Sequence, residues 1–330
     1  MTELAPFQVA RPRDVEAAIA LCSENAQSRY IAGGTDLMVN IRRGIRRPEL
    51  LIDLSGVDVL NEFEITAAGA RIGAGVTLAR LAADPGVRER YRAAAEAAET
   101  IAGPGHRTMA TVGGNLCLDT RCIYYNQSEW WRHANHYCLK HRGDTCHVAP
   151  QGKRCHAAFS GDLAPALMVL GAEIEIAGAA GHRRIPLTDL YVEDGRAHLR
   201  LSLGELILRV QLPAAPPPSA YAKVRLRGSI DFPLAGVAVS LAMAGDAVSE
   251  FRVGLTGTNS RPFLLEGTES FLGRPLDDEA LARLDKLVQK QVQPMRTTLA
   301  SANYRRLAAA ALARRLAARL AGLQGRPDEL

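Results

Sequence analysis

Polar and apolar positions along the chain change period several times, and each change marks an element. A short apolar run, FQV, is followed by Arg-Pro-Arg-Asp and then by Val15, Ala18, Ile19 and Cys22 at helical spacing. This predicts a strand and then a helix capped by Asp14, with Cys22 in the core. SRYIAGGTDLMV predicts a strand, a glycine turn and a helix, and PELLIDLSGV a second apolar strand. ITAAGARIGAGVTLARLAAD predicts paired strands and a helix beginning at Thr77, while the alanines and period of VRERYRAAAEAAETIA predict a helix. GPGHRT breaks that helix, and MATVGGNLC predicts a buried turn. FSGDLAPALMVLGAEIEIAG predicts a helix and a strand, GELILRVQLP a further strand, and PAAPPPSA at 213–220 a linker. Beyond it, YAKVRLRGSIDFPLAGVAVSLAMAGDAVSEFRVGLTGT alternates as short strands, and two helical segments follow, LDDEALARLDKLVQK and ASANYRRLAAAALARRLAARLAGL. In the last of these Leu307, Ala308, Ala311, Leu312, Leu316, Leu320 and Leu323 form one predicted apolar face, with arginines opposite.

Composition limits the classes of protein this can be. The 330 residues are 47% hydrophobic and 23% charged, an ordinary globular balance that suits two or three domains. No apolar run approaches the roughly 18 residues of a membrane span, and MTELAPFQVARPRD lacks the basic and apolar regions of a signal peptide. The expected location is the cytoplasm, where thiols stay reduced. The formal charge is +5, carried mostly by scattered arginines. Their densest group, RRGIRRP at 42–48, reads as a solvated loop, and no nucleic-acid motif accompanies it.

Three glycine-containing loops carry the first candidate chemistry. IAGGTDL (31–37), IGAGVTL (72–78) and TVGGNLC (111–117) each follow or contain an apolar strand end. Paired glycines let a backbone approach a ligand, and successive amides in such turns make a nest for anions. Thr35 and Asn115 can add side-chain hydrogen bonds to phosphate. Three such loops in one region point to a shared dinucleotide, held without the single G-x-G-x-x-G fingerprint.

The stretch from Arg121 to His156 is different. It holds four of the six cysteines, five of the eight histidines and both tryptophans. Four thiols without matching apolar content indicate a covalent or metal staple, and three readings compete. Disulfides are disfavoured in a reducing compartment. Zinc suits four thiolates or a mixture with His133, His136, His141, His147 and His156, while the intervals of fifteen, seven and eight residues between Cys122, Cys138, Cys146 and Cys155 contain no C-x-x-C knuckle. An iron–sulfur cluster accepts such spacing when one loop wraps it. The chemistry alone leaves zinc and iron–sulfur open.

YIAGGTDLMV, IGAGVTL, TVGGNLC, SGDLAPALMVLGA and GELILRVQLP, in that order, resemble the FAD-binding medium subunit of the xanthine dehydrogenase family of molybdenum hydroxylases. RLRGSIDFPLAGVAVSL and ASANYRRLAAAAL resemble its C-terminal domain, of the CO-dehydrogenase flavoprotein type, so the likeness runs from Phe7 to about Leu320. The resemblance implies an α+β fold. It has two FAD-binding subdomains, 1–54 and 55–215, the second bearing a cysteine-rich loop at 118–158, and a C-terminal αβ domain at 220–330. It implies that Arg29, Tyr30, Ile31, Ala32, Gly33, Gly34, Thr35 and Asp36 cradle the FAD pyrophosphate, and that Ile101 and Ala102 border the flavin. Thr111, Gly113, Gly114 and Asn115 would form a second phosphate-facing loop. Asp162 would bind the adenosine portion, Leu206 and Ile207 would wall a ring, and Lys223 would sit near the flavin.

Most members of that family run almost directly from such a GGN turn to the Asp-Leu-x-Pro segment. The insertion here resembles that of the branch that reduces an aromatic acyl-CoA, whose flavin subunit carries an additional [4Fe–4S] cluster. The resemblance implies that Cys122, Cys138, Cys146 and Cys155 are the cluster ligands and that Cys117 is a small buried residue beside the flavin. It implies partners too: a molybdenum-cofactor subunit and a subunit with two [2Fe–2S] clusters, in a heterotrimer that dimerises, with reduced ferredoxin as electron donor. No nucleophile–base pair or acid–base dyad stands out, so no catalytic residue is expected in this chain. Its role would be electron transfer.

Overall fold

The computed structural model describes residues 5–323. Residues 1–4 and 324–330, at the outer ends of the expected spans 1–54 and 220–330, lie outside the described residues, as does the start of the segment tested for a signal peptide. Among the described residues no helix is long and apolar enough to cross a membrane.

The first sixty residues form a small parallel sheet. β1 (Gln8–Ala10) and β2 (Ser28–Ile31) flank the central β3 (Leu50–Asp53). Helix α1 (Val15–Glu24) makes the crossover, and Asp14 caps it by accepting from the Ala17 amide at 2.7 Å. Val15, Ala18, Ile19 and Cys22 are its buried face, as their spacing predicts. Helix α2 (Leu37–Arg42) follows the glycine turn.

A five-stranded antiparallel sheet comes next, in the order β4 (Phe63–Thr66), β5 (Gly69–Gly73), β8 (Leu206–Leu212), β6 (Glu173–Gly178) and β7 (Gly181–Pro186). Between β5 and β6 the chain forms α3 (Leu78–Ala83), α4 (Pro85–Arg90), α5 (Arg92–Thr100), α6 (Pro104–Arg107), α7 (Val112–Leu116), α8 (Glu129–Ala134) and α9 (Leu163–Val169). Thr77 caps α3 as expected. The alanine-rich helix expected over 87–102 is divided at Tyr91, which leaves helical geometry so that its buried hydroxyl can donate to the Pro213 carbonyl at 2.7 Å. The GGN segment is also not a plain turn. Its glycines lie inside α7, capped by Thr111.

The third sheet, β12 (Phe263–Leu264), β11 (Ala247–Thr256), β10 (Ala235–Ala244) and β9 (Ser219–Val224), is antiparallel throughout. β9 begins at Ser219, inside the stretch expected to be a linker. β10 is buried on both faces, which is why GVAVSLA runs apolar without alternating. Val237, Val239 and Leu241 face α10 (Asp278–Gln291) and α11 (Ala302–Leu320), whereas Ala238 and Tyr221 join the core formed by the two preceding sheets and their helices.

The apolar face expected for α11 needs correcting. Leu312 and Leu316 are buried, but Leu307 and Leu323 are about half exposed. The buried side is instead Arg305, Ala309, Ala310, Leu312, Ala313, Leu316 and Ala317. Alanines allow the helix to lie close to the sheet, and close approach outweighs leucine count. Arg305, expected on the polar face, is fully buried and donates to the carbonyls of Leu234, Met295 and Gly257 and to Thr297 Oγ1.

Candidate functional site

The three glycine-containing loops are neighbours in space. A β-carbon on Gly33 would stand 1.7 Å from the Met109 carbonyl oxygen, so only glycine lets the 31–36 loop touch the 109–110 segment. Gly34 has φ +67°, which also favours glycine. Thr77 and Thr111 are bridged, the Leu78 amide donates to the Ala110 carbonyl at 2.8 Å, and the Gly113 amide donates to the Ala74 carbonyl at 2.8 Å.

These bonds divide the donors unequally. In the second loop the Gly113 amide serves Ala74, the Gly114 amide serves Thr111 Oγ1 at 3.1 Å, and Asn115 Oδ1 accepts from the Leu163 amide at 3.1 Å. In the first loop the amides of Gly33, Gly34, Thr35 and Asp36 have no backbone partner among the described residues. This half-exposed run leaves free the kind of donors that a dinucleotide pyrophosphate requires, an arrangement compatible with FAD.

Other expected contacts are distributed differently. Arg29 turns to a recess lined by Gln27, Arg46 and Arg47. Tyr30 donates to the Gly204 carbonyl at 2.8 Å, tying the first sheet to the second. Asp36 pairs with Arg121, while its other oxygen accepts from Asn40 Nδ2 at 2.9 Å and Asn40 Oδ1 accepts from Arg121 at 2.7 Å. Burial pushes the Asp36 carboxyl up, and Arg121 counteracts it. Ile101 is buried, and Ala102 has φ +47°, its carbonyl accepting from the Ile230 amide at 3.2 Å. Leu206 and Ile207 are core residues of β8. Asp162 and Lys223, expected as two separate ligand contacts, meet as a buried ion pair at 2.9 Å. The Tyr221 hydroxyl donates to Asp162 at 2.5 Å. Burial pushes the Asp162 carboxyl up against the pull of Lys223. Its side chain does not cap α9.

The insertion folds onto this cleft. Its base is closed by paired backbone bonds between Arg121 and Ala158, at 2.7 and 2.8 Å. Asp119 binds Lys140 at 2.7 Å and Arg46 at 3.0 Å. Burial disfavours its charge, but the two cations hold it far below the usual carboxylate range. The 191–199 segment clamps the other side. Lys140 donates to the Gly195 carbonyl at 2.8 Å, and Asp194 accepts from the Cys155 amide at 3.1 Å.

Cys122, Cys138, Cys146 and Cys155 line one cavity with Tyr124, Tyr125, Lys140, His147 and Ala157. Three of these cysteines are buried and Cys138 is half-buried. The amides of Tyr124 and Tyr125 point at the Cys122 sulfur, and the Ala157 amide donates to Cys155 Sγ at 3.4 Å. Burial pushes the Cys122 thiol up to about 11 and Cys155 to about 12, so a metal must displace their protons on binding. Among the described residues no three histidine, cysteine, aspartate or glutamate side chains close on a single-ion site; the thiols ring a cavity instead. Convergent thiols with amide donors on two sulfurs fit a cluster bound within one loop. Cys117 lies outside this ring and is half-buried rather than buried as expected, its thiol pushed up to about 12 by desolvation. Of the tryptophans, Trp131 packs on Tyr124 at 6.2 Å and Trp130 is 77% exposed.

Sequence reasoning missed Arg121, Asn40, Asp119 and Lys140, the polar pins of the insertion. Each has partners 20 or more residues away, except Asn40 with Asp36, and no short-range pattern announces them. It also missed His198, whose Nε2–H donates to the Leu118 carbonyl at 2.9 Å. Burial, with Lys140 nearby, pushes His198 down from 6.5 to about 4. Unfolding therefore takes up a proton between those values. Stability is full above about pH 6.5 and falls as pH drops towards 4, by about 3 kcal/mol. Urea midpoints for wild type and His198→Gln across that window test this; the variant should show a flatter dependence, and parallel curves would contradict the assignment.

The comparisons with known proteins agree with this geometry. A family described as the FAD binding domain in molybdopterin dehydrogenase matches residues 5–215, and the CO dehydrogenase flavoprotein C-terminal domain matches 219–320. The aldehyde oxidoreductase FAD-binding subunit PaoB of Escherichia coli (strain K12) is 35% identical over 260 residues, 75% of this chain and 80% of the relative. The carbon monoxide dehydrogenase medium chain of Afipia carboxidovorans is 27% identical over 94% of each chain. Among solved structures, reconstituted CO dehydrogenase from Oligotropha carboxidovorans superposes with TM-score 0.80 at 24% identity, covering 97% of this chain and 99% of that one. Quinoline 2-oxidoreductase from Pseudomonas putida 86 gives 0.77 at 22% identity, with the same coverage. Both structures speak to the fold.

Proposed function

The chain belongs to the FAD-binding medium subunits of the xanthine dehydrogenase and CO dehydrogenase family of molybdenum hydroxylases, and from that premise we propose that it is the β subunit of a 4-hydroxybenzoyl-CoA reductase. In this reading the subunit takes electrons from reduced ferredoxin and delivers them towards [2Fe–2S] and molybdenum subunits of a heterotrimer, where the phenolic hydroxyl is removed. The observation that carries it is the single cavity lined by Cys122, Cys138, Cys146 and Cys155. Bound there, a [4Fe–4S] cluster would accept electrons one at a time, and FAD would hold them singly or in pairs.

The chain's own residues supply position and insulation. Gly33 and Gly34 bring backbone amides to the pyrophosphate position. Arg121, one residue before Cys122, is bonded to Asp36 and Asn40, so the flavin loop and the cysteine loop share one buried pin. Ile45, Tyr125 and Ala157 pack with Cys122 and Cys155 and exclude water from the sulfurs. The Lys140 ammonium beside them offsets the negative charge of four thiolates.

The test is metal content. Anaerobically purified subunit, separated from its partners, should hold about four irons per FAD and little zinc. About one zinc and no iron would overturn the reading. It would favour a conventional hydroxylase subunit that passes electrons outward from molybdenum and carries a zinc-stapled loop.

A further inference from the structure

The basic run at 42–48 does not behave as a solvated loop. Ile45 is 3% exposed and packs with Cys122 and Tyr125. Arg46 turns inward to Asp119, and the buried Arg132 of α8 donates to the Gly44 carbonyl at 3.3 Å. Pinned in this way, the run forms one wall of a polar recess of about 220 Å³, and the turn carrying His141 and Arg142 forms the other.

We propose that this recess, bounded by Arg29, Arg46, Arg47, His141 and Arg142, is the docking site of an acidic one-electron carrier protein. The proposal rests on the reading that the adjacent thiols hold a cluster. Charge is its first support. Four arginines meet here, while the nearby carboxylates are already engaged: Asp119 by Lys140 and Arg46, Glu129 by Arg132 and Arg142. Arg47 is exposed and has no carboxylate partner among the described residues. Exposed Arg42 and Arg43 extend the positive field beyond the recess, a spread that suits a protein surface better than a single phosphate.

Position is the second support. The Cys138 carbonyl accepts from the amides of His141, at 2.8 Å, and Gly143, at 3.1 Å. This tight turn presents Cys138 and Lys140 to the cysteine cavity and His141 and Arg142 to the recess. The recess is therefore one turn of chain from Cys138, the least buried of the four thiols. The helix that supplies Arg132 also carries Trp130, 77% exposed, an apolar anchor of the kind that binding surfaces favour.

The experiment follows reduction of the assembled holoenzyme by a reduced acidic bacterial ferredoxin in anaerobic stopped flow, at low and high ionic strength. The wild-type second-order rate should fall as salt rises. Arg47→Glu and Arg142→Glu should each lower it roughly ten-fold at low salt and flatten the salt dependence. The electron paramagnetic resonance signal that dithionite produces by reducing the [4Fe–4S] cluster should be unchanged in both. Arg314→Glu, on the exposed side of α11, makes the same change in net charge and should leave the ferredoxin rate unaltered. Unchanged ferredoxin rates in both recess variants, with a normal dithionite-reduced signal, would overturn the docking site alone. No dithionite-reducible [4Fe–4S] signal in wild type, beyond those of the [2Fe–2S] clusters, would overturn the cluster reading and the docking site with it.

Discussion

Cys138→Ser is expected to strip the proposed metal centre from the insertion and abolish ferredoxin-driven turnover while FAD stays bound. A serine hydroxyl remains protonated at neutral pH where a thiolate binds iron, so one of four ligands is lost. Cys138 is the residue to change because its half-buried side chain contributes least to the packing of the loop, whereas Cys122 and Cys155 belong to a buried apolar cluster. The turn that holds it is made by its backbone, through bonds to His141 and Gly143 that serine keeps. In the separated subunit iron per flavin should fall close to zero with flavin absorbance retained, and turnover of the assembled enzyme should drop on the order of 100-fold or more, beyond the usual effect of a supporting residue. Retained turnover with ferredoxin in a variant whose separated flavin subunit is shown to lack iron would remove the insertion from the electron path.

Arg305→Met should produce the largest loss of stability. Arg305 has no exposed surface, and burial pushes its guanidinium down to about 10, so it is still charged at neutral pH. Its donors satisfy Leu234 and Met295 carbonyls at 2.9 and 2.8 Å, Thr297 Oγ1 at 3.1 Å, and the Gly257 carbonyl. Methionine keeps much of the stem but leaves these acceptors without a donor in a dry interior. The cost is about 4 kcal/mol, and Tm should fall roughly 6 °C. Arg305→Lys should recover only part of the loss, since an ammonium carries three donors and lacks the planar fork. A methionine variant within about 1 kcal/mol of wild type would show that the acceptors find other partners.

The legible parts of the chain were those whose cause is local. Asp14 and Thr77 were readable as caps because a cap needs only its own helix turn. The face of α1 was readable because four apolar residues repeat at one period. The glycine loops were readable as positions of close backbone approach, and they do adjoin, since Gly33 and Gly34 are demanded by backbone geometry. α11 was misread because alanines and leucines alternate around its whole circumference, and which side is buried depends on how closely it must approach β10. Asp162 and Lys223 were separable in sequence yet form one buried pair.

What the sequence determined by itself was the order of elements, the loops able to approach a dinucleotide, and four thiols concentrated in one insertion. These follow from periodicity, glycine chemistry and ligand type, all of which act over a few residues. Only the tertiary structure decided that the four thiols share one cavity, that Arg121 ties their loop to the flavin loop, and that RRGIRRP walls a recess beside them. The physical reason is separation along the chain. Arg121 reaches Asn40 across 81 residues and Lys140 reaches Gly195 across 55, and a buried charge takes whichever partner the packed core places within hydrogen-bond distance.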